Sequence, residues 1–277
     1  MLALGIATFA EHQANPAVVH GGVHLVASGN TEGKDVRFGA TQSALMGVSC
    51  TMTSTGCADS AYDSYNPMGG FALLTGMMLG EVSPGGVGSG LYTILLFAII
   101  AVFIGGLMIG RTPEYLGKKI QKREIQLAGI GVLVMPITVL VLTAIAAVIH
   151  PGWSVVGNPG STGRSPHGFS EILYAFTSMS NNNGSAFGGI TVTGPFYQVG
   201  GAIAMLIGRF GVAVPALALA GSLAAKPVVP SGLGTFRTDN AMFVGLLVGV
   251  ILIVGGLTFF PALALGPLVE QLSHRFW

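Results

Sequence analysis

Hydrophobic residues in this chain gather in long unbroken runs separated by short polar breaks. A run of about 20 apolar residues is what a helix needs to cross a bilayer. Residues 90–110, 127–149 and 241–266 meet that length without a single charge. Residues 195–225 are long enough but carry Arg209 near their middle. A guanidinium at the centre of a span costs about 2.5–3.5 kcal/mol on insertion scales, so Arg209 is expected to face protein or water. Residues 1–10, MLALGIATFA, would cover only about 15 Å as helix, half the hydrocarbon core. They lack a basic leader region and a small-residue cleavage site. They are expected to be the end of a span that begins earlier in a longer protein.

Two further stretches, residues 38–56 and 169–184, start apolar and helical and end in the polar runs TMTSTG and SMSNNNG. An apolar part of about ten residues suits a re-entrant half-helix better than a span. Polar, non-helical backbone at membrane depth is tolerated only where it is buried in protein or lines a water-filled path. Overlaid with Gly56 on Gly184, the two stretches match without a gap back to Ser43 and Glu171. They share the order half-helix, Ser/Thr cluster, polar loop, glycine. The same short string then follows each copy, Ile109-Gly110-Arg111 and Ile207-Gly208-Arg209. The first copy is longer and contains the glycine- and proline-rich stretch 81–90, where a helix must break. The expected fold is all-α and polytopic, with two span/half-helix/span repeats of the potassium-channel-like type and a final span.

Composition agrees with the membrane reading. Hydrophobic residues make up 51% and charged residues 8%, against about 25% charged in ordinary soluble domains, which excludes a soluble globular protein. The formal charge of +1 includes no basic track, so nucleic acid is not an expected partner. Cys50 and Cys57 have neither C-x-x-C nor zinc spacing. They are expected as small buried apolar side chains rather than a disulfide. Arg111, Lys118, Lys119, Lys122 and Arg123 put five of the 12 basic residues between two spans, which makes that loop cytoplasmic by the positive-inside rule. Alternation from there places residues 11–37, 151–168 and the C-terminus with Arg275 outside, and the 226–240 loop inside. The expected units are a truncated span at 1–10 and a repeat at 11–111, with half-helix and filter at 38–57 and a broken helix at 64–111. A cytoplasmic loop at 112–126 precedes a second repeat at 127–225, with half-helix and filter at 169–185. The loop at 226–240, the span at 241–266 and an external tail at 267–277 complete the chain.

A half-helix entering from outside directs its C-terminal carbonyls, and about half a negative charge, at the membrane centre. A glycine beyond that end can take positive φ and turn successive carbonyls toward an axis, as in potassium-channel filters. Gly56 and Gly184 are placed for this, with Thr55, Asn183 and Ser185 side chains in support. Neutral oxygens favour a monovalent cation over Ca²⁺ or Mg²⁺, which prefer carboxylates. An isolated NNNG is ordinarily a loop or helix cap; membrane context and duplication turn it into an ion-site candidate. Glu171 is expected to stabilise its helix N-terminus, Asp59 and Asp63 to be solvated, and Arg111 to snorkel at a boundary. The histidines suggest no role.

Further strings sharpen the reading: AEHQANP at 10–16, EGKDVRFG at 32–39, TSTG at 53–56, PGGVGSGLY at 84–92, GRTPEYLGKK at 110–119, HGFSEILYAF at 167–176, NNNGSAF at 181–187 and FPALALGP at 260–267. On these the chain, almost end to end, resembles the KdpA family of potassium-translocating A subunits. The resemblance implies four repeats around one pore, of which this sequence holds the third and fourth. Ser54, Thr55, Gly56 and Cys57 correspond to the third filter strand, and Asn182, Asn183, Gly184 and Ser185 to the fourth. Cys57 replaces the alanine usual there, with its backbone carbonyl still available. The loop with Glu81, Gly85, Gly86 and Gly88 corresponds to the element that restricts passage, and Arg111 and Arg209 are added as gating or pore-electrostatic candidates. The resemblance also implies K⁺ as the transported ion, no organic cofactor, and ATP bound by a partner, the P-type ATPase B subunit, with small C and F subunits. It implies a multi-pass location in the bacterial inner membrane, among lipid. The chain itself has no P-loop or phosphorylation motif and is not expected to be an enzyme alone. Two strands cannot encircle an ion, so the missing first half or another A-subunit copy is expected to complete the pore. The alternatives are a non-conducting fragment or assembly scaffold, and a passive K⁺ transporter subunit. Stabilisation by K⁺ or Rb⁺ over Na⁺ separates a competent pore from a scaffold.

Overall fold

The computed structural model describes residues 1–15, 19, 29–157, 167–230 and 235–273. Arg275 and parts of the expected 11–37, 151–168 and 226–240 segments lie outside them. The architecture is helical, with α1 (Leu2–Glu11), α2 (Gly39–Met52), α3 (Pro67–Gly80), α4 (Ser89–Ile109), α5 (Lys122–Val148), α6 (Gly168–Ser180), α7 (Pro195–Ala224) and α8 (Ala241–Leu263). A π-helical turn at Ala264–Leu268 connects α8 to α9 (Val269–Ser273). Four stretches are long and apolar enough to cross a membrane: Ser89–Ile109, Lys122–Val148, Pro195–Ala224 and Ala241–Leu272. The chain is therefore an all-α polytopic membrane protein.

Local chemistry sets the helix ends. Proline at the first position starts α3 and α7, where a missing N–H costs nothing. Gly110, at φ 68°, closes α4 in the left-handed conformation. Leu116 and Gly117, both at positive φ, turn a two-residue hairpin that pairs Glu114 with Lys119 and Tyr115 with Lys118. A reciprocal capping box between Gln121 and Glu124 opens α5, and the Glu124 carboxylate also holds Lys226 at 2.6 Å. The segment after residue 266, expected as an external tail, remains folded through α9, where Glu270 is buried.

The repeat expected from sequence is present in the packing. Helices α1, α2 and α3 pack together as one set, and α5, α6 and α7 as another. One constant offset relates Gly56 to Gly184, Pro67 to Pro195 and Gly80 to Gly208. A Cβ on Gly80 would press on the carbonyl oxygen and Cα of Met52, and one on Gly208 would collide with the same atoms of Ser180, the matching residue. Each glycine lets its helix, α3 or α7, cross the end of the half-helix before it without a side chain between them.

This register corrects the string comparison. The structural counterpart of Gly208-Arg209 is Gly80-Glu81, not Gly110-Arg111. Arg111 stands beyond the end of α4, is exposed, and donates to the Thr235 carbonyl at 3.5 Å. At the matching place α3 stops after Gly80 while α7 continues. Between α3 and α4, Gly85 and Gly88 both take φ of 82°, and the Gly85 backbone abuts that of Gly90 so closely that neither could carry a side chain.

Candidate functional site

Both half-helices end in the same backbone figure. The N–H of Thr53 donates to Ser49 and that of Asn181 to Thr177, each closing a last helical turn. The next residue is left-handed in both, Ser54 at φ 55° and Asn182 at φ 53°. The N–H of Thr55 then reaches back to the Cys50 carbonyl at 3.3 Å, and that of Asn183 to the Ser178 carbonyl at 2.9 Å. Gly56 and Gly184 follow at φ 75° and 90°. Two left-handed residues in a four-residue loop cost about 1–3 kcal/mol each unless they are glycine, so a duplicated pattern of them marks a functional geometry.

The loops meet. A Cβ on Gly56 would collide with the carbonyl oxygen of Asn183. Ser54 Oγ donates to the Asn181 carbonyl at 3.1 Å, and Asn183 Nδ2 donates to the Cys50 carbonyl at 3.0 Å. The expected filter residues 54–57 and 182–185 are thus brought together, cross-linked by one bond in each direction.

Among the described residues, no hydrogen bond donates to the carbonyls of Ser54, Thr55, Gly56, Asn182, Asn183 or Gly184. The flanking carbonyls differ. That of Asn181 accepts from Ser54, that of Cys57 from Tyr62 at 3.1 Å, and that of Ser185 from Ser178 at 2.7 Å. The Cys57 carbonyl, expected to be available, is thus engaged at one lone pair. Open main-chain acceptors at 54–56 and 182–184 are neutral oxygens, the chemical type that can replace water around a monovalent cation.

A disulfide joins Cys50 to Cys57, with Cα atoms 5.9 Å apart. This overturns the expectation of two separate apolar side chains. The reversal of direction at Ser54 and Gly56 folds residue 57 back onto the last turn of α2. A spacing of seven residues does not reveal this until the helix end is known. In the fourth loop the matching residues, Ser178 and Ser185, are joined by the Ser178 Oγ to Ser185 carbonyl hydrogen bond. Asn183 Oδ1 also accepts from the Ser185 N–H at 3.1 Å, and Tyr174 shares its hydroxyl with Ser185 Oγ at 2.7 Å.

The 81–88 loop lies against the third loop. Ser54 Oγ donates to Glu81 Oε1 at 2.9 Å, and a Cβ on Gly86 would stand 3.1 Å from that of Ser54. Glu81 interacts electrostatically with Arg209, which also interacts with Tyr92. Glu81, Ser180, Asn181 and Gly208 line a cavity of about 60 Å³ beside the loops. Of the residues expected to gate or tune the path, Glu81 lines this cavity and Gly86 approaches Ser54. Gly85 and Gly88 belong to the same turn without touching the loops, Arg209 follows the cavity-lining Gly208, and Arg111 lies beyond the end of α4.

Beyond the loops, the Asp63 N–H donates to the Phe187 carbonyl at 2.8 Å, tying the segment after the third loop to the fourth. Asp63 is not solvated as expected: burial pushes its carboxyl above the usual range, with His167 pulling against it. His167, given no role by the sequence, is buried with Nδ1 2.8 Å from Glu270 Oε2, and Ser170 donates to Glu270 Oε1 at 2.7 Å. Burial works against a charge on His167, but Glu270 first and then Asp63 and Glu171 outweigh it and raise the histidine's affinity for its proton. Glu171 does more than stabilise a helix start, since it accepts the Gly157 N–H at 2.8 Å.

The sequence profile of the potassium-transporting ATPase A subunit family, KdpA, matches residues 1–272. Among curated relatives, the potassium-transporting ATPase potassium-binding subunit of Methylobacterium nodulans is 53% identical over 270 residues, 98% of this chain and 46% of the relative. The subunit of the same name from Sorangium cellulosum is 55% identical over 274 residues, 97% of this chain and 46% of the relative. That from Nocardia farcinica is 54% identical over 272 residues, 98% and 48%. The chain spans about half the length of the curated relatives it matches.

Proposed function

The chain belongs to the potassium-transporting ATPase A subunit family, and from that premise we propose that its two loops supply half of a K⁺ selectivity filter. The observation that carries this reading is the pair of contacting loops with matched left-handed residues, 54/56 and 182/184, and open carbonyls at both. Residues 54–57 and 182–185 hold the dehydrated ion, with the carbonyls of 54–56 and 182–184 as principal ligands. The ends of α2 and α6 add the negative pole of a half-helix each. Neutral oxygens spaced by a fixed backbone select a monovalent ion by replacing its hydration shell.

Below the loops, Glu81 and Arg209 set the electrostatics of the path, and the glycine-broken segment with Gly85, Gly86 and Gly88 restricts passage. K⁺ enters from the extracytoplasmic side and passes to a P-type ATPase B subunit that binds ATP, in a complex completed by C and F subunits. The chain is the non-catalytic, ion-selecting part, in the bacterial inner membrane. The remaining filter strands come from a first half of the subunit or from another copy.

The test is Rb⁺ uptake in potassium-uptake-deficient cells that express this chain with B, C and F subunits, with and without a first half of the A subunit. Uptake that requires ATP and prefers Rb⁺ over Na⁺, with that preference weakened in Gly184→Ala, supports the reading. ATP-independent uptake would make the chain part of a passive transporter. Failure of uptake even with the first half present would reduce it to a scaffold.

A further inference from the structure

The two loops are held to their half-helices at the same two positions by different chemistry. In the fourth, Ser178 Oγ donates to the Ser185 carbonyl. In the third, the residues at the same places are Cys50 and Cys57, and they are covalently joined. We propose that the Cys50–Cys57 disulfide is the specificity-determining clamp of the third ion loop, and that its reduction loosens K⁺ selection there. This rests on the filter reading above.

Three observations place the clamp on the ligand geometry. The Cys50 carbonyl accepts from both Thr55 N–H and Asn183 Nδ2, so the last turn of α2 holds one loop from within and the other from across. Cys57 directly follows Gly56, and its carbonyl is held by Tyr62. The third loop also has fewer bonds of its own: the fourth adds the Asn183–Ser185 and Tyr174–Ser185 contacts, while Thr55 bonds at its side chain to the adjacent Thr53. Opening the disulfide therefore leaves the chain after Gly56 held to the protein by the Tyr62 hydrogen bond alone, without a tie to the last turn of α2. A carbonyl ring discriminates between ions through fixed positions, and added freedom lets it contract around a smaller ion.

The chemistry is ordinary thiol–disulfide exchange with an added dithiol as reductant. Its thiolate attacks the half-buried Cys57 sulfur and displaces the Cys50 thiolate, which takes up a proton. The dithiol's second thiol then attacks the mixed disulfide, releasing the Cys57 thiol and leaving the reagent as a cyclic disulfide. Two electrons pass from the dithiol to the cystine.

The experiment uses the assembled complex in the Rb⁺ uptake assay, with Na⁺ as competitor, before and after dithiol treatment. Cysteines of the chain are counted by alkylation and mass measurement. The expected result is no alkylation before reduction, two alkylated cysteines after it, and a severalfold fall in Rb⁺-over-Na⁺ preference. The double variant Cys50→Ser/Cys57→Ser, which has no disulfide to reduce, should show no further change in its preference on dithiol treatment. Free thiols in the untreated protein overturn the proposal. So does a preference unchanged after full reduction, or an equal fall in the double variant. If the variant does not assemble, the native comparison before and after reduction decides alone. A complex with no Rb⁺ preference before treatment overturns the filter reading itself, whereas a preference that survives reduction removes only the clamp.

Discussion

The third and fourth loops share a backbone figure but not its means of support. Both place left-handed residues at the same two positions, and both close on a carbonyl five residues back. The fourth is embedded: Asn183 and Ser185 are buried, and its bonds run to Ser178, Tyr174 and Cys50. The third is more open, with Thr55 exposed, and relies on one covalent bond and on Glu81 and Asn181 across the gap. One conformation can thus be specified by a dense polar network or by a single cross-link. The two should fail differently.

The glycines offer the largest contrast. A side chain at Gly56 meets both a positive-φ penalty of about 1–3 kcal/mol and the Asn183 carbonyl, whereas one at Gly184 meets the penalty in open space. Gly56→Ala should abolish Rb⁺-over-Na⁺ preference and Gly184→Ala only weaken it, as read by competitive uptake. Equal effects would mean that contact between the loops is unimportant. Next is Asn183→Ala, which leaves the buried Ser185 N–H without its acceptor and takes one of two donors from the Cys50 carbonyl. It should cost about 1–3 kcal/mol in denaturant or thermal unfolding of the purified protein, whereas the matching Thr55→Ala should cost less.

A smaller effect is expected where the repeats present opposite charges. Glu81 and Arg209 occupy matched positions with no ion pair within 4 Å between them among the described residues, so their coupling should be small. A double-mutant cycle with Glu81→Gln and Arg209→Gln measures it, and strict additivity would dissolve the pair. The smallest effect is expected at His167, near the start of α6. A histidine whose folded-state pKa is raised adds stability that is complete below its unfolded value of about 6.5 and is lost as pH climbs through the folded value. Unfolding curves from pH 6 upward should show this loss in the native chain and lose the slope in His167→Gln; an unchanged slope would remove His167 as its source.

Much of this arrangement could be read from residue order. Apolar run length located the four spans, since hydrocarbon thickness fixes it. The half-helices and their glycines were legible because a short apolar run ending in polar residues has few other uses within a membrane. What escaped depends on places where distant residues meet. Cys50 and Cys57 look unrelated until Ser54 and Gly56 reverse the chain. The string shared by Arg111 and Arg209 misled, because a helix break hides residue 81 as the partner of residue 209, and only the glycine crossing over Met52 and Ser180 restores the register. His167 and Glu270 are 103 residues apart, with no local pattern to connect them.

The opposite charges at Glu81 and Arg209 have a consequence for ancestry. Two identical copies of either repeat would bring like charges face to face, carboxylate on carboxylate or guanidinium on guanidinium, and would push each other apart. Opposite signs at the two places avoid that repulsion. With them in place neither copy could stand in for the other, so recombination between them, which can erase differences between tandem duplicates, would carry a penalty at this point. A difference of sign at one matched pair thus makes the two repeats non-interchangeable.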